Sequence, residues 1–326
     1  MTPKKYNEFS LIHELTSKFT DFHQIKTGIG DDAAVIDNHG KLQLITTDTL
    51  VENDHFSIKW STPYQIGKKA FEVNVSDIAA MGGLPTLTLV SLVINKNIST
   101  SFLQEIYRGI KEICNKYQIT LIGGDTTHGT ELVISITLLG KVNPENLCLR
   151  SHAKTNDLIG VTGKVGASYA GFLALKNNIS LDQFSYIKKK HLEPQSRLTA
   201  SQIIAPYANA MIDVSDGVAS EVRHIAQNSK KGAIIYTKKL PINPEVDKIE
   251  QKLKLKKNTC ALSGGEDFEL LFTITEENVL KLQNHFQDFT VIGKILADPK
   301  KLDLIDFDNQ RIDLPFGYDH LLESTN

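Results

Sequence analysis

The chain has 326 residues, of which 41% are hydrophobic and 23% are charged, and its formal net charge is −2 at pH 7. This is the composition of an ordinary globular protein with room for about two domains. A net charge so near zero argues against nucleic acid or an anionic membrane as a partner. No apolar stretch reaches the roughly 20 residues that a membrane-spanning helix needs.

The N-terminus and the cysteines favour a cytoplasmic protein. The first residues, MTPKKYNE, contain no apolar segment of the signal-peptide kind. The three cysteines, Cys114, Cys148 and Cys260, are widely spaced and form no C-x-x-C motif. This arrangement is typical of buried thiols in a reducing compartment and gives no zinc site.

The N-terminal half alternates predicted strands and helices. Apolar spacing predicts a helix over residues 7–19. Further elements are predicted as strands at 33–36 and 42–47, a helix at 62–81, a strand at 86–94, a helix at 101–117, and strands at 119–122 and 132–142. The polar residues 143–146 have no apolar period, and we predict that they separate two domains, 1–145 and 146–326.

Strands and helices alternate again in the C-terminal half. The predicted strands are 158–162, 211–214, 233–237, 269–274 and 290–295, and the predicted helices are 167–175, one starting at Glu193-Pro194, 217–228, 244–255 and 276–286. Lys188, Lys189 and Lys190 are expected to form a solvated helix face. The predicted fold class is therefore α/β (α+β) with two domains.

Acidic side chains recur where apolar segments end. They are Asp31, Asp32, Asp48, Asp77, Asp125, Asp213, Asp216, Glu266 and Asp267. Loop and strand ends are where a fold brings functional groups together, so we expect these acids to converge. Asp77 lies within an apolar helical stretch, where a carboxylate needs a partner or a metal.

Three uses of such carboxylates can be compared. A calcium loop collects its oxygens within one short segment, and no D-x-D-x-D-G loop is present. A glycosidase needs a single pair of carboxyl groups. Magnesium takes only one or two carboxylates and completes its shell with water and phosphate oxygens, so several ions facing a triphosphate need dispersed acids. The pattern favours magnesium-assisted phosphate chemistry.

A nucleotide site of this kind would be unusual, because no P-loop is present. The nearest segment, GVTGKV at 160–165, lacks the leading glycine and the final Ser or Thr, and no protein-kinase catalytic loop or D-F-G occurs. Phosphoryl transfer depends mostly on positioning and charge neutralisation, so we expect no protein nucleophile.

Six motifs carry a family resemblance. They are GIGDDAA at 28–34, TTDTLV at 46–51 with His55-Phe56, NVSDIAAMG at 74–82, LIGGDTT at 121–127, DVSDG at 213–217 and SGGEDFELL at 263–271. In order and spacing they resemble the thiamine-monophosphate kinase family of the aminoimidazole-ribonucleotide-synthetase-like superfamily, up to GYDH at 317–320. The resemblance implies an N-terminal domain that dimerises through its sheet, a C-terminal α/β domain, and ATP bound between them. It also implies direct transfer of the γ-phosphoryl group of ATP to thiamine monophosphate, assisted by several Mg²⁺ ions.

The same resemblance implies roles for individual residues. The implied magnesium ligands are Asp32, Thr46, Thr47, Asp48, Asp77, Asp125, Asp213 and Asp216. The implied ATP contacts are Tyr107, Gly124, Asp125, Arg150 and Ser215. The implied contacts to the thiamine substrate are His55, Glu266 and Tyr318. Two departures are Asn53-Asp54, where a glycine commonly precedes His-Phe, and Val218, which replaces a leucine.

Simpler interpretations stand beside these roles. Asp48, Asp77 and Asp125 could be caps or turn residues, and Asp31 is expected to bond loop amides. Other residues that could be structural are Glu266-Asp267 at the end of a turn, His55 as a packed imidazole, Arg150 as a surface charge and Tyr318 as a filler. His13, His128, His152 and His191 lack metal-ligand spacing and are expected to have no special role.

Other functions stay open at this point. One is another ATP-dependent enzyme of the superfamily, such as a purine cyclo-ligase. A selenophosphate-forming enzyme would need a reactive cysteine near the N-terminus, whereas the first cysteine here is Cys114. A nucleotide-binding scaffold without catalysis is a further alternative, although every implied metal position keeps its acid.

Overall fold

The computed structural model describes residues 8–17 and 24–318 and contains two β-sheets. One sheet is built by the N-terminal half of the chain and the other by the C-terminal half, with helices packed on both. The expected mixed α/β class is confirmed. Part of the predicted helix at 7–19 and residues 319–320 of the last motif lie outside the described residues.

The first sheet has six strands in the order β1-β2-β3-β6-β4-β5. In chain order the elements of this half are α1 (Glu8–Thr16), β1 (Ile25–Thr27), β2 (Ala34–Asn38), β3 (Lys41–Val51), α2 (Pro63–Ala80), β4 (Leu84–Asn95), α3 (Thr100–Tyr117), β5 (Thr120–Gly129) and β6 (Val133–Val142). Strands β4 and β5 are parallel because helix α3 forms the crossover between them. The other pairs are antiparallel.

Helix α2 is the element that joins the two halves. It begins at a capping box, in which the Thr62 hydroxyl accepts from the Gln65 amide and Gln65 accepts from the Thr62 amide. It contacts β3, β6 and α3 on one side and, on the other, elements of the C-terminal half. It can lie close to α3 because Gly67 has no side chain: a Cβ there would meet the Ile106 carbonyl oxygen at 2.1 Å. The residues that α2 carries are therefore placed between both sheets.

The second sheet has seven strands in the order β13-β12-β9-β11-β7-β10-β8. The elements of this half are β7 (Leu158–Thr162), α4 (Ala167–Lys176), α5 (Ser185–Leu192), α6 (Leu198–Ile204), β8 (Ala208–Asp213), α7 (Val218–Asn228), β9 (Gly232–Tyr236), α8 (Pro244–Lys252), α9 (Thr259–Ser263), β10 (Leu270–Ile274), α10 (Glu276–Gln283), β11 (Phe289–Leu296), β12 (Leu302–Ile305) and β13 (Arg311–Asp313). Strand β8 is at one edge, so Asp213 ends an edge strand.

One apolar cluster extends across both halves. It contains Leu44 and Ile134 from the first sheet together with Met211, Leu270 and Phe272 from the second. The division at residue 145 falls between the two sheets, and as a domain boundary it stays a prediction. Among the helices of the described residues, none is both long and apolar enough to cross a membrane. The expected cytoplasmic location also stays a prediction.

Three local predictions were wrong. No helix starts at Glu193-Pro194: Glu193 is the C-cap of α5, and the next helix begins at Leu198. Lys190 does not belong to a solvated face, because its Nζ lies 2.7 Å from Oε1 of the buried Glu269. The strand predicted at 119–122 continues to Gly129, because pairing with β4 keeps even Gly123 and Gly124 within the ladder.

Candidate functional site

An acidic cleft lies between the two sheets. Carboxylate oxygens of Asp32, Asp77 and Asp213 lie within 4.8 Å of one another. They come from the glycine loop before β2, the last turns of α2 and the end of β8. Asp48 of β3 and Asp216, three residues after Asp213, line the same cleft. The structure therefore brings together five of the acids that the sequence singled out.

Polar residues of α2 and β3 hold these carboxylates in place. The Thr46 hydroxyl donates to Oδ2 of Asp77. The Ser76 hydroxyl donates to Oδ2 of Asp213 at 2.6 Å, and Oδ1 of Asn74 accepts from the Asp48 amide at 3.1 Å. Residues 74–77 of α2 therefore supply Asp77 and contact Asp48 of β3 and Asp213 of β8.

The acids of the cleft repel one another when they are ionised. Burial, with the Asp32 charge adding to it, raises the pKa of Asp48 to about 6, although a hydrogen bond with Asp77 lowers it in part. Burial and the charges of Asp48, Asp213 and Asp32 raise the pKa of Asp77 well above its usual range. Burial and the Asp32 charge do the same for Asp213. The cluster needs either protons or cations to be stable.

This donor set fits magnesium. Its atoms are carboxylate and hydroxyl oxygens, which suit Mg²⁺ or Ca²⁺, and the described part of the cleft brings no cysteine or histidine into the group of three. The acids come from separate elements and line an open cleft. Oxygen atoms of a bound phosphate could therefore complete the coordination shell of an ion held there. The residues that could hold such ions are Asp32, Asp48, Asp77, Asp213 and Asp216.

Arg150 provides the positive charge beside Asp32. Its Nη2 lies 2.6 Å from Oδ1 and its Nε 3.2 Å from Oδ2 of that carboxylate. Asp31 accepts the backbone amides of Asp32 and Arg150 at 3.1 and 3.2 Å, the loop bonds expected of it. Burial and the Asp32 charge raise the pKa of Asp31 to about 7, although Arg150 opposes this. Arg150 thus reaches the cleft through an ion pair.

A second cavity adjoins the acidic cleft. Its walls are the aromatic rings of Tyr169, Phe172 and Tyr318 together with His55, His191 and Glu266. Three of these, His55, Glu266 and Tyr318, are the residues that the resemblance assigned to the thiamine substrate. Ser215 and Asp216 line both spaces, so the aromatic cavity opens beside the acids.

The backbone at Glu266 is constrained. Glu266 has a φ of 65° and Phe268 a φ of 50°, and such left-handed conformations are uncommon for residues with side chains. The Glu266 amide donates to the Ser215 carbonyl at 2.7 Å, and the Phe268 amide donates to the Val214 carbonyl at 2.9 Å. These two bonds hold the Glu266 segment against the end of β8.

Three expected site residues lie elsewhere. Gly124 and Asp125 are in β5, where they pair with Val90 and Ser91 of β4, and Tyr107 is on α3. All three are exposed, and the structure does not bring them into the acidic cleft of the same chain. Thr47 borders the cleft, but its hydroxyl donates to the Ile136 carbonyl of β6 at 3.1 Å.

Three residues with a place in the site were missed from the sequence. Lys69 of α2 is buried and contacts Glu266, and Glu221 of α7 accepts the Asp216 amide at 2.9 Å. His191, expected to have no special role, lies in the aromatic cavity 3.6 Å from Glu266. Burial, with the Lys69 charge, lowers the pKa of His191 to about 3, so its ring is neutral. For Lys69 a signal existed, namely a charge inside the apolar run of α2.

Known proteins match this chain over nearly its whole length. Residues 30–142 match the model for "AIR synthase related protein, N-terminal domain". The thiamine-monophosphate kinase of Buchnera aphidicola subsp. Schizaphis graminum is 39% identical, with 98% of this chain and all of that one covered. The Escherichia coli (strain K12) enzyme of the same name is 36% identical, covering 96% and 98%.

A solved structure agrees with these sequence matches. It is described as "AaThiL complexed with AMPPCP and TMP", is 33% identical, and superposes with a TM-score of 0.86 over 98% of this chain and 99% of that one. On these similarities the chain belongs to the thiamine-monophosphate kinase family.

Proposed function

We propose that this protein transfers the γ-phosphoryl group of ATP directly to thiamine monophosphate, giving thiamine diphosphate and ADP. The observation that carries the proposal is the acidic cleft of Asp32, Asp77 and Asp213, which opens beside a cavity walled by aromatic rings. A related structure holds AMPPCP and TMP, which supports a nucleotide and a thiamine phosphate as the two ligands.

The proposed binding roles follow from the chemistry of the two spaces. The rings of Tyr169, Phe172 and Tyr318 suit the flat heterocycles of thiamine, and Glu266 offers an acceptor to their amino group or positive charge. With the heterocycles there, the phosphate ester would extend past Ser215 and Asp216 toward the acids. We assign the nucleotide phosphates to the acidic cleft.

Several Mg²⁺ ions would neutralise the charge of the ATP phosphates and of the thiamine monophosphate ester. The residues that would hold these ions are Asp32, Asp48, Asp77, Asp213 and Asp216. For that, Asp48 and Asp77 must lose the protons that burial favours. Ser76 orients the Asp213 carboxylate, and Thr46 orients that of Asp77. Arg150 holds the Asp32 carboxylate in place through two hydrogen bonds. No side chain acts as a nucleophile in this proposal. A phosphate oxygen of thiamine monophosphate attacks the γ-phosphorus of ATP, and the bond from that phosphorus to the leaving ADP breaks in line with the attack.

The acceptor test decides between this function and its alternatives. With ATP and Mg²⁺, thiamine monophosphate is expected to yield thiamine diphosphate, while free thiamine reacts far more slowly. Two unit charges at 4 Å repel by about 1 kcal/mol in water and by more in a drier cleft, so a site full of cation ligands suits an anionic acceptor. Products are separated by chromatography. Comparable phosphorylation of thiamine, or turnover only with a purine precursor, would contradict the proposal.

We also propose that the protein is a homodimer formed through the N-terminal sheet. Strand β5 is the outer strand of that sheet, and it exposes Leu121 and Ile122, with 42% and 54% of their surface accessible. A long apolar edge strand tends to pair with another chain. Gly124 and Asp125 lie on the same strand, so a dimer would give them a route to a nucleotide.

Light scattering at micromolar concentration tests the dimer. The native chain is expected to have twice the mass of one chain, and Ile122→Asp is expected to shift it toward the monomer, because a charge would be buried in the new contact. Leu280→Asp is the matched control, since Leu280 is an exposed apolar residue on α10, in the other half. A monomeric native chain would contradict the proposal.

A further inference from the structure

Lys69 joins Glu266 and His55, two of the three residues that the family resemblance assigns to the thiamine substrate. Its side chain is 4% exposed, and its Nζ lies 2.7 Å from each carboxylate oxygen of Glu266. The same Nζ donates to the His55 carbonyl oxygen at 2.8 Å. Glu266 belongs to the C-terminal half and His55 follows β3 of the N-terminal half, so one ammonium group holds both walls of the cavity.

Lys69, rather than His191, supplies the positive charge beside Glu266. His191, another nitrogen base beside Glu266, lies farther away at 3.6 Å, and burial keeps its pKa low, so it offers no positive charge at neutral pH. Its Nδ1 lies 3.4 Å from the Ser168 hydroxyl, which anchors the ring to α4. Glu266 itself sits on left-handed backbone, which a fold keeps only where neighbouring contacts fix it.

We propose that Lys69 is a positioning residue for the thiamine substrate: it fixes the carboxylate of Glu266 and the carbonyl of His55 at the spacing that the substrate needs. Lys69 itself does not line the aromatic cavity, so it acts through these two residues. The inference rests on the proposed function. It adds a determinant of affinity for the phosphate acceptor that is separate from the acidic cleft.

The mechanism predicts a selective change in affinity. Without Lys69, the half-buried Glu266 carboxylate loses the cation that holds it and turns away or takes up a proton. The loop at His55 also loses its bond to α2. Binding of thiamine monophosphate is then weakened, while the acids that face ATP keep their own contacts with Thr46, Asn74 and Ser76.

Steady-state kinetics on the full chain test this. Lys69→Met is expected to raise the KM for thiamine monophosphate by about tenfold or more, because the substitution removes the buried ammonium group that holds the Glu266 carboxylate. The KM for ATP is expected to stay within about twofold. Lys69→Arg, which keeps the charge and the donors, should restore part of the loss. Lys68→Met is the matched control, since Lys68 lies next to it on α2 and pairs with Glu112 and Glu193.

A double variant separates positioning from general stability. If Lys69 acts through Glu266, Lys69→Met combined with Glu266→Gln should bind thiamine monophosphate about as weakly as Glu266→Gln alone, when measured by calorimetry. Losses that add independently, or an unchanged KM in Lys69→Met, would overturn the inference. Failure of the native chain to bind or convert thiamine monophosphate would instead overturn the proposed function, and this inference with it.

Discussion

Asp77→Asn is expected to abolish turnover while the fold stays intact. Asp77 sits at the centre of the acidic cleft, where it accepts the Thr46 hydroxyl and lies beside Asp32 and Asp213. Asparagine keeps the size of the side chain and an oxygen for Thr46, but it removes the charge that a cation needs. Loss of one preorganised group that stabilises charge costs about 100- to 1,000-fold in kcat, and we expect at least that.

The stability of the same variant separates function from folding. Burial and three neighbouring carboxylates make the ionised form of Asp77 unfavourable in the metal-free protein, as its raised pKa indicates. A neutral asparagine removes this repulsion, which is greatest when the pH exceeds the raised pKa. The metal-free variant should therefore melt at the native temperature or above it, by a margin that grows as the pH rises. Mg²⁺ should raise its melting temperature less than that of the native protein.

A second cleft variant and one control complete this experiment. Asp48→Asn is expected to behave like Asp77→Asn, because Asp48 of β3 lines the same cleft and its pKa is also raised. Asp308→Asn changes an exposed acid in the turn between β12 and β13 and should leave kcat unchanged. Native kcat in either cleft variant would refute the assignment of these acids to magnesium.

Arg150→Met is expected to destabilise the metal-free protein strongly. The Arg150 side chain is 14% exposed and that of Asp32 is 1% exposed, so the variant would leave a buried carboxylate without its cation. Breaking one partner of a buried ion pair costs about 3 to 5 kcal/mol. Arg150 also lies near Asp31, whose raised pKa shows that negative charge is already unfavourable there.

Denaturation in urea, with and without Mg²⁺, measures this effect. If cations bind at Asp32, they replace the lost positive charge, and the destabilisation should shrink when Mg²⁺ and ATP are present. Arg108→Met is the control, because the pair of Arg108 with Glu105 is exposed to solvent and should contribute little to stability. Equal destabilisation in the two variants, or no response to Mg²⁺, would contradict the proposed role of Arg150.

The sequence alone was enough to predict the mixed α/β fold class and most of the acids that meet in the cleft. Helix α2 could be predicted because its start is encoded locally, by Thr62, Pro63 and Gln65. Asp32, Asp48 and Asp213 could be singled out because each lies at the edge of an apolar segment, and Asp77 because it lies within one. A strand or helix end is a local property of the chain, and the ends of packed elements meet in space, so local patterns were enough to indicate convergence.

Only the tertiary structure decided which charges pair. Lys69 and Glu266 are 197 residues apart, and Arg150 and Asp32 are 118 apart, so no local spacing relates them. Lys190 faces the buried Glu269 for the same reason, although its run of lysines predicted a solvated face. The strand predicted at 119–122 ends before Gly123, Gly124 and Asp125, yet hydrogen bonds to β4 keep these residues within β5. Pairing energies depend on burial and distance, and both are set by the packing of remote elements rather than by neighbours in the chain.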